Sequence, residues 1–250
     1  MIGPINMTVA GLTFRQLFTR KRLIASALFA AAPLVITLFF KATAHTNDAT
    51  GLQFLRELYS GIVAFVLLPL SAVVLGTAAF GGEIDDGTIV YLLVKALPRW
   101  QLILSKYSVA VVSTVVMMLV AILLPWLALG APADSWPVLE GFAAGIALGA
   151  ALYNAIFVTM GLMSKRALVL GLLYIVVLEI TLSPNVVGLK SLSVREFVMT
   201  IAGVIAAGVP GMKAGAVPTN TVWTMSAVFL VAALGLGIRW LSRYEMAERL

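Results

Sequence analysis

The chain contains no cysteine and a single histidine, His45. No disulfide can form, no thiolate can act as a nucleophile, and a multi-histidine metal site within one chain is excluded. The redox compartment is left open by this count. Charge is scarce as well: Asp, Glu, Lys and Arg make up 11% of the 250 residues, against roughly 25% in soluble domains. Hydrophobic residues reach 61%, and the mean hydropathy is +1.04. So little polar surface cannot cover a globule of this size in water. The composition describes an integral membrane protein.

What charge there is has a pattern. The net charge of +6 would suit nucleic acid, but the basic residues stand beside apolar runs, so the membrane surface is the expected partner and nucleic acid is not. Six apolar runs are expected to span: Leu23 to Phe40, Tyr59 to Phe80, Tyr107 to Gly130, Val138 to Met163, Ala167 to Leu182 and Thr221 to Leu241. Arg20-Lys21-Arg22 before an apolar run, with Ala30-Ala31-Ala32 inside it, imitates a cleaved signal peptide. The run continues through Leu34 to Phe40, past the supposed cleavage site, which favours a retained span. An even number of spans puts both termini on one side. That side collects Arg15, Arg20, Lys21, Arg22, Lys95, Arg99, Lys106, Lys165, Arg166, Arg239, Arg243 and Arg249. The other side holds only Lys41, Arg56, Lys190, Arg195 and Lys213. The positive-inside rule makes the termini cytoplasmic, in a cell (inner) membrane.

The fold class expected is therefore all-α, one transmembrane domain over residues 1–250. Residues 1–22 read as an amphipathic elbow helix at the interface, with Ala10, Phe14, Leu17 and Phe18 on one face and Arg15, Thr19 and Arg22 on the other. It serves either as an elbow that moves with the spans or as a simple anchor. Lys41 to Arg56 reads as a polar loop that leaves His45 solvated. Pro69 is expected to kink the second span. Gly141, Gly145 and Gly149 form a small-residue face on the fourth, either for packing inside the chain or for a dimer contact. Residues 183–220 form an extracytoplasmic loop whose apolar middle, Val194 to Val209, is too short to span and reads as a surface or re-entrant helix. Asn154, Thr159 and Tyr174 either line a path or hydrogen-bond between helices. Glu179, an ionisable residue near the outer end of the fifth span, is a candidate for an outer gate or for pairing with Arg195.

The most patterned stretch is the loop over residues 82–106. It carries Glu83, Asp85, Asp86, Lys95, Arg99 and Lys106 between two apolar spans. Asp86-Gly87-Thr88 is a helix-start signal, Ile89, Leu92, Leu93 and Ala96 give the following helix an apolar side, and Pro98 breaks it before Trp100 begins another. An acidic start and a basic end complement its dipole. A short helix of this kind suits the groove of a soluble partner.

Glu83-x-Asp85-x-Gly87-Thr88, then Leu92-Leu93, Arg99 and Lys106, resembles the first cytoplasmic loop of ABC-2 type transporter permeases. Ala96 stands where that family usually has proline, Pro98 stands at its serine position, and Ser105 replaces the usual glycine before Lys106. Leu178-Glu179, Pro184 and Leu192-Ser193-Val194 resemble the family's fifth span and outer loop. With the elbow and the six spans, the resemblance covers nearly the whole chain. It implies the membrane-spanning subunit of an ATP-driven exporter, paired as a homodimer and docked through this coupling helix on a cytoplasmic ATP-binding subunit. ATP and Mg would be bound by that partner, with no cofactor in this chain. No G-x-x-x-x-G-K-[ST] phosphate loop occurs in the sequence, so no ATPase activity is expected of the chain itself. A secondary transporter or channel is disfavoured by the near absence of ionisable groups in spans two to four. A non-transporting scaffold driven by an ATPase partner is a further alternative. The cargo is not readable from fold resemblance.

Overall fold

The computed structural model describes residues 7–17, 20–44, 47–85, 87, 98–212 and 214–247. Within them the backbone is helical almost throughout. Helix α1 is Met7–Leu17, α2 is Arg20–Thr43 and α3 is Asp48–Glu57. A π-helical stretch, Leu58–Leu67, joins α3 to α4, Leu68–Asp85. Then follow α5 (Arg99–Ala128), α6 (Trp136–Met163) and α7 (Ala167–Tyr174), the last running into a second π-helical stretch, Ile175–Leu182. After a turn at Ser183–Asn185 and a 3-10 segment at Val187–Leu192 come α8 (Val194–Ile205) and α9 (Thr219–Ala247).

Among the described residues, five helices are long and apolar enough to cross a membrane: Ser26–Thr43, Asp48–Ile84, Arg99–Ala128, Trp136–Met163 and Thr219–Ser242. Ala167–Leu182 is a shorter apolar helix. The protein is thus an all-helical, multi-pass membrane protein. Its core lies along α6 and the α3–α4 helix, each 67% buried over its most apolar window, while α2 and α9 are only 17% and 22% buried. The exposed side chains of α2 and α9, among them Leu28, Val35, Phe39, Val228 and Val231, are apolar. In lipid such a surface is as well solvated as a core.

The expected polar loop at Lys41 to Arg56 is helical from Asp48 onward. Asn47 and Thr50 form a capping box: the Asn47 side chain accepts from the Thr50 N–H at 2.9 Å, and the Thr50 hydroxyl accepts from the Asn47 N–H at 3.0 Å. A reciprocal cap satisfies two otherwise orphaned donors, which is why a polar sequence starts a helix here. We predict that Asn47→Ala lowers stability by about 1 kcal/mol, seen as a small drop in thermal midpoint in detergent with unchanged topology. His45 lies outside the described residues.

The irregularity tied to Pro69 takes the form of the π stretch just before it. There the Leu68 N–H reaches back to the Val63 carbonyl, five residues away. The wider turn precedes a residue that has no N–H to donate.

Helix α1 buries Val9, Thr13 and Leu17, whereas Phe14 is exposed and Ala10 half-buried. Of the described residues on the apolar face read from the sequence, only Leu17 is buried in the bundle. The 9/13/17 stripe meets α4 and α5, and Thr13 satisfies its hydroxyl on the Val9 carbonyl at 2.9 Å. Met7, Leu12 and Phe14 are left outward. Phe18 and Thr19 fall outside the described residues.

The glycine face of α6 is consumed inside the chain. A Cβ at Gly141 would lie 2.6 Å from the Ala202 carbonyl oxygen, one at Gly145 2.7 Å from that of Val198, and one at Gly149 2.6 Å from a Val198 methyl. The three glycines form the bed of α8, which buries Val194, Phe197, Val198, Ile201 and Ala202. Polar groups in the spans are used between helices: Asn154 donates to the Thr114 hydroxyl at 3.0 Å, Thr159 to the Ala233 carbonyl at 2.9 Å, and Tyr59 to the Ile122 carbonyl at 2.6 Å.

Candidate functional site

Two polar clusters stand out, one at each end of the bundle. The first lies where α4 and α5 lead into and out of the loop at residues 86–97, the end that also carries α1. Gly87 takes φ +66, the left-handed conformation that glycine adopts without strain, and its N–H bonds the Ile84 carbonyl. Gly87 thus ends α4 as a C-terminal glycine, where the sequence pattern read it as part of a helix start. On the other side of the loop, Pro98 is extended, with ψ 133, and α5 begins at Arg99, two turns before the expected start of the third span.

Between these two ends sits a buried ion pair. The Lys106 ammonium donates to Glu83 Oε1 at 2.6 Å and to the Ala79 carbonyl at 2.5 Å, and lies 4.7 Å from the centre of the Phe80 ring. Lys106 is 1% exposed and Glu83 7%. Around them pack Val9 of α1, Leu102, Ile103, Val158, Leu162 and Leu241. The pair joins two side chains that the loop separates by 23 residues. It ties the last turn of α4 to the second turn of α5, and an apolar shell of four helices keeps water from it.

Of the loop residues singled out in the sequence, Glu83 and Lys106 are brought together, Arg99 is half-buried at the first position of α5, and Asp85 is the last residue of α4. Asp86, Thr88, Leu92 and Leu93 lie outside the described residues. The pairing itself was invisible in sequence. Glu83 read as an interfacial carboxylate or partner contact and Lys106 as a positive-inside anchor. The one available signal was a lysine eight residues beyond Pro98, inside an apolar run rather than at its edge.

The second cluster lies at the far end, around α8. Glu179, on the π stretch that extends α7, is 1% exposed. Its Oε2 accepts from the Ser193 hydroxyl at 2.6 Å and its Oε1 from the Val194 N–H at 3.0 Å. A carboxylate at the first turn of a helix meets unpaired N–H groups and the positive end of the dipole. Ser193 also caps α8 in the usual way, accepting from the Glu196 N–H at 3.3 Å. Arg195 does not form an ion pair with Glu179 among the described residues; its guanidinium lies 4.4 Å from the centre of the Phe65 ring, on the other π stretch. Ser193, Val194 and Phe65 are partners that sequence reasoning missed. They come from segments without a polar pattern, and only the seating of α8 on the glycine bed brings them in. Among the described residues no group of His, Cys, Asp and Glu is placed to hold a metal ion.

Residues 18–183 match the family model of ABC-2 family transporter proteins, well over half of the chain. The chain belongs to that family. The match takes in both ends of the Glu83–Lys106 clasp and Glu179, and stops before α8. No curated protein matches the chain. This ABC-2 family protein is accordingly the membrane permease of an ABC transporter, and its apolar helices are membrane spans.

Proposed function

We propose that this ABC-2 permease is the translocating subunit of an ATP-driven exporter, worked by a separate ATP-binding subunit that docks on the loop between α4 and α5. The observation that carries the reading is the buried Glu83–Lys106 pair in a chain of this family. A loop that transmits force must be fixed at both ends, and a desolvated charge pair between its two flanking helices does that. In this reading Glu83 and Lys106 hold the loop, while Asp85, Asp86, Gly87, Thr88, Leu92, Leu93 and Arg99 form the coupling helix and its contact with the ATPase. ATP and Mg belong to that partner. The shorter helix Ala167–Leu182 is the fifth of six spans, so both termini and the loop are cytoplasmic, α1 is the elbow and α8 is the extracytoplasmic helix. Glu179 and Arg195 belong to an outer gate, Glu179 through the first turn of α8 and Arg195 through Phe65. The exposed apolar faces meet lipid and a second permease copy.

Co-purification tests this. The chain, expressed with a genomically adjacent ABC ATPase, should retain it, and the complex should hydrolyse ATP. Asp85→Ala with Asp86→Ala should leave the permease folded and lower coupled ATP hydrolysis by about tenfold, the effect of losing one to two charged contacts at a partner surface. If no ATPase is retained by the wild-type chain, the reading fails.

A further inference from the structure

At the α8 end of the bundle a cavity of about 250 Å³ lies between the start of the Asp48–Ile84 helix, α6, α8 and the loop that follows α8. Its floor is apolar: Phe142 is fully buried there, and Met199 and Met212 are half-buried. Its charged side comes from two consecutive residues of α3, Arg56 and Glu57. Neither forms an ion pair among the described residues. Arg56 makes one side-chain hydrogen bond there, from Nη1 to the Pro210 carbonyl, although a guanidinium carries five N–H donors. Its Nε is buried without a partner, so the Nη edge is the part that the cavity can reach. Gly211, beside Pro210, takes φ +75, and a Cβ there would collide with the guanidinium. Glycine thus lets the loop close over Arg56. Glu57 is exposed; its Oε1 accepts from Gln53 Nε2 at 3.1 Å, and its Oε2 accepts nothing among the described residues.

A cation and an anion side by side above an apolar floor select an amphiphile whose head carries both charges. An anionic group on Arg56 gains charge-assisted hydrogen bonds and relieves a partly buried cation that has no counter-ion. An ammonium beside it meets the free oxygen of Glu57. The carbons between them lie on Met199 and Met212, whose unbranched thioethers adapt to an irregular shape. The volume falls below the roughly 300–1,000 Å³ of pockets that enclose a whole small ligand. It has room for a headgroup and not for an acyl chain. The surface around the cavity shows where such chains would go. Gln53, Glu57 and Gly61 are exposed at four-residue intervals along one helix, and Val66 continues that exposed side. At the end of α8, Val204 and Ile205 are exposed as well. The charged rim therefore sits at one end of the bundle, directly beside apolar surface that faces lipid.

We propose that this cavity binds the headgroup of a zwitterionic aminophospholipid. The phosphate sits on the Nη edge of Arg56, the ammonium on Glu57, and the acyl chains run along the exposed residues Val66, Val204 and Ile205. The site needs only the membrane setting of the chain. It goes beyond the exporter reading and does not depend on an ATPase partner.

Native mass spectrometry of the full chain, delipidated in detergent and titrated with phosphatidylethanolamine or phosphatidylglycerol, reads the site directly. One phosphatidylethanolamine per chain should bind more tightly than phosphatidylglycerol, by about threefold to fivefold for the solvent-exposed contact with Glu57. The direction is informative, because a chain of net charge +6 attracts anionic lipid without any site. Arg56→Gln should weaken both lipids about tenfold, the loss of a charge-assisted hydrogen bond. Glu57→Gln keeps the Arg56 contact with the Pro210 carbonyl and still accepts from Gln53, so the fold survives. It should weaken phosphatidylethanolamine alone and abolish the preference. A wild-type chain that favours phosphatidylglycerol, or a preference that persists in Glu57→Gln, overturns the proposal. So does unchanged binding in a folded Arg56→Gln protein. Glycerophosphoethanolamine, the same head without chains, should compete only weakly; competition equal to that of the lipid would assign the cavity to a soluble zwitterion and overturn the lipid assignment. These outcomes are independent of ATPase co-purification, on which the exporter reading stands or falls.

Discussion

Lys106→Met is expected to destabilise the permease by about 3–5 kcal/mol, the range for removing one partner of a buried ion pair. Methionine matches the length of the lysine stem, so packing against Phe80 survives. What is lost is the ammonium that satisfies Glu83 Oε1 and the Ala79 carbonyl. The Glu83 carboxylate then stays buried without a cation, in a shell of Val9, Leu102, Ile103 and Leu241 that offers no donor. Glu83→Gln alone should cost less, because a neutral amide can still accept from Lys106. The double change Glu83→Leu with Lys106→Met should regain most of the stability, since replacing both members of a buried pair by apolar groups is often neutral. A double-mutant cycle on thermal unfolding in detergent measures this. Strict additivity of Glu83→Leu and Lys106→Met would mean that the clasp does not bind the loop's ends together. The rescued double variant has a second use. If it folds well yet transports poorly, the pair serves to fix the loop beyond holding the bundle.

Gly145→Ala is expected to cost about 3 kcal/mol, the upper part of the range for overpacking a core. Helix propensity argues the other way, since alanine is favoured over glycine by about 1 kcal/mol in a helix interior. The geometry decides. The new methyl would lie 2.7 Å from the Val198 carbonyl oxygen and 3.0 Å from a Val198 methyl. The first obstacle is backbone, which cannot rotate away, so α8 must lift from α6. Gly61→Ala provides the internal control: no atom lies within 4 Å of the added Cβ, so that change should be neutral or slightly stabilising. Thermal midpoints of the two variants measure the contrast. Equal midpoints would show that α8 is not seated in the glycine groove. Gly145→Ala should also expose the first turn of α8 in the same way as loss of the Glu179 bonds, because both remove what holds that helix to the bundle.

The clasp and the Glu179 cluster are joined by one element. The helix Asp48–Ile84 is continuous from the far end of the bundle to the loop. It carries Phe65 beneath Arg195 on its π stretch and Glu83 at its last turn. In the proposed reading, a displacement of the loop would enter this helix through Glu83 and Lys106 and reach the α8 end along its backbone.

Composition and hydropathy by themselves determined the solvent of this protein, the place of its long spans and the loop worth attention. These are one-dimensional properties: a run of apolar residues long enough to cross a bilayer needs no partner to declare itself. The small-residue stripe at Gly141, Gly145 and Gly149 was equally legible as a packing face. Its occupant was not. The start of α3 was local information, an Asn47–Thr50 box, masked by the polarity of the segment around it. The tertiary structure alone decided which face of α1 turns inward, that Glu83 pairs with Lys106, and that Glu179 holds Ser193 and Val194. In water, the buried face of a helix is marked by hydropathy, because core and solvent differ. In a membrane both are apolar, so Phe14 outward and Val9 inward leave no trace in the pattern. Polar pairs across spans depend on how the helices are rotated and seated. In this permease that seating is set by where glycines let backbones touch.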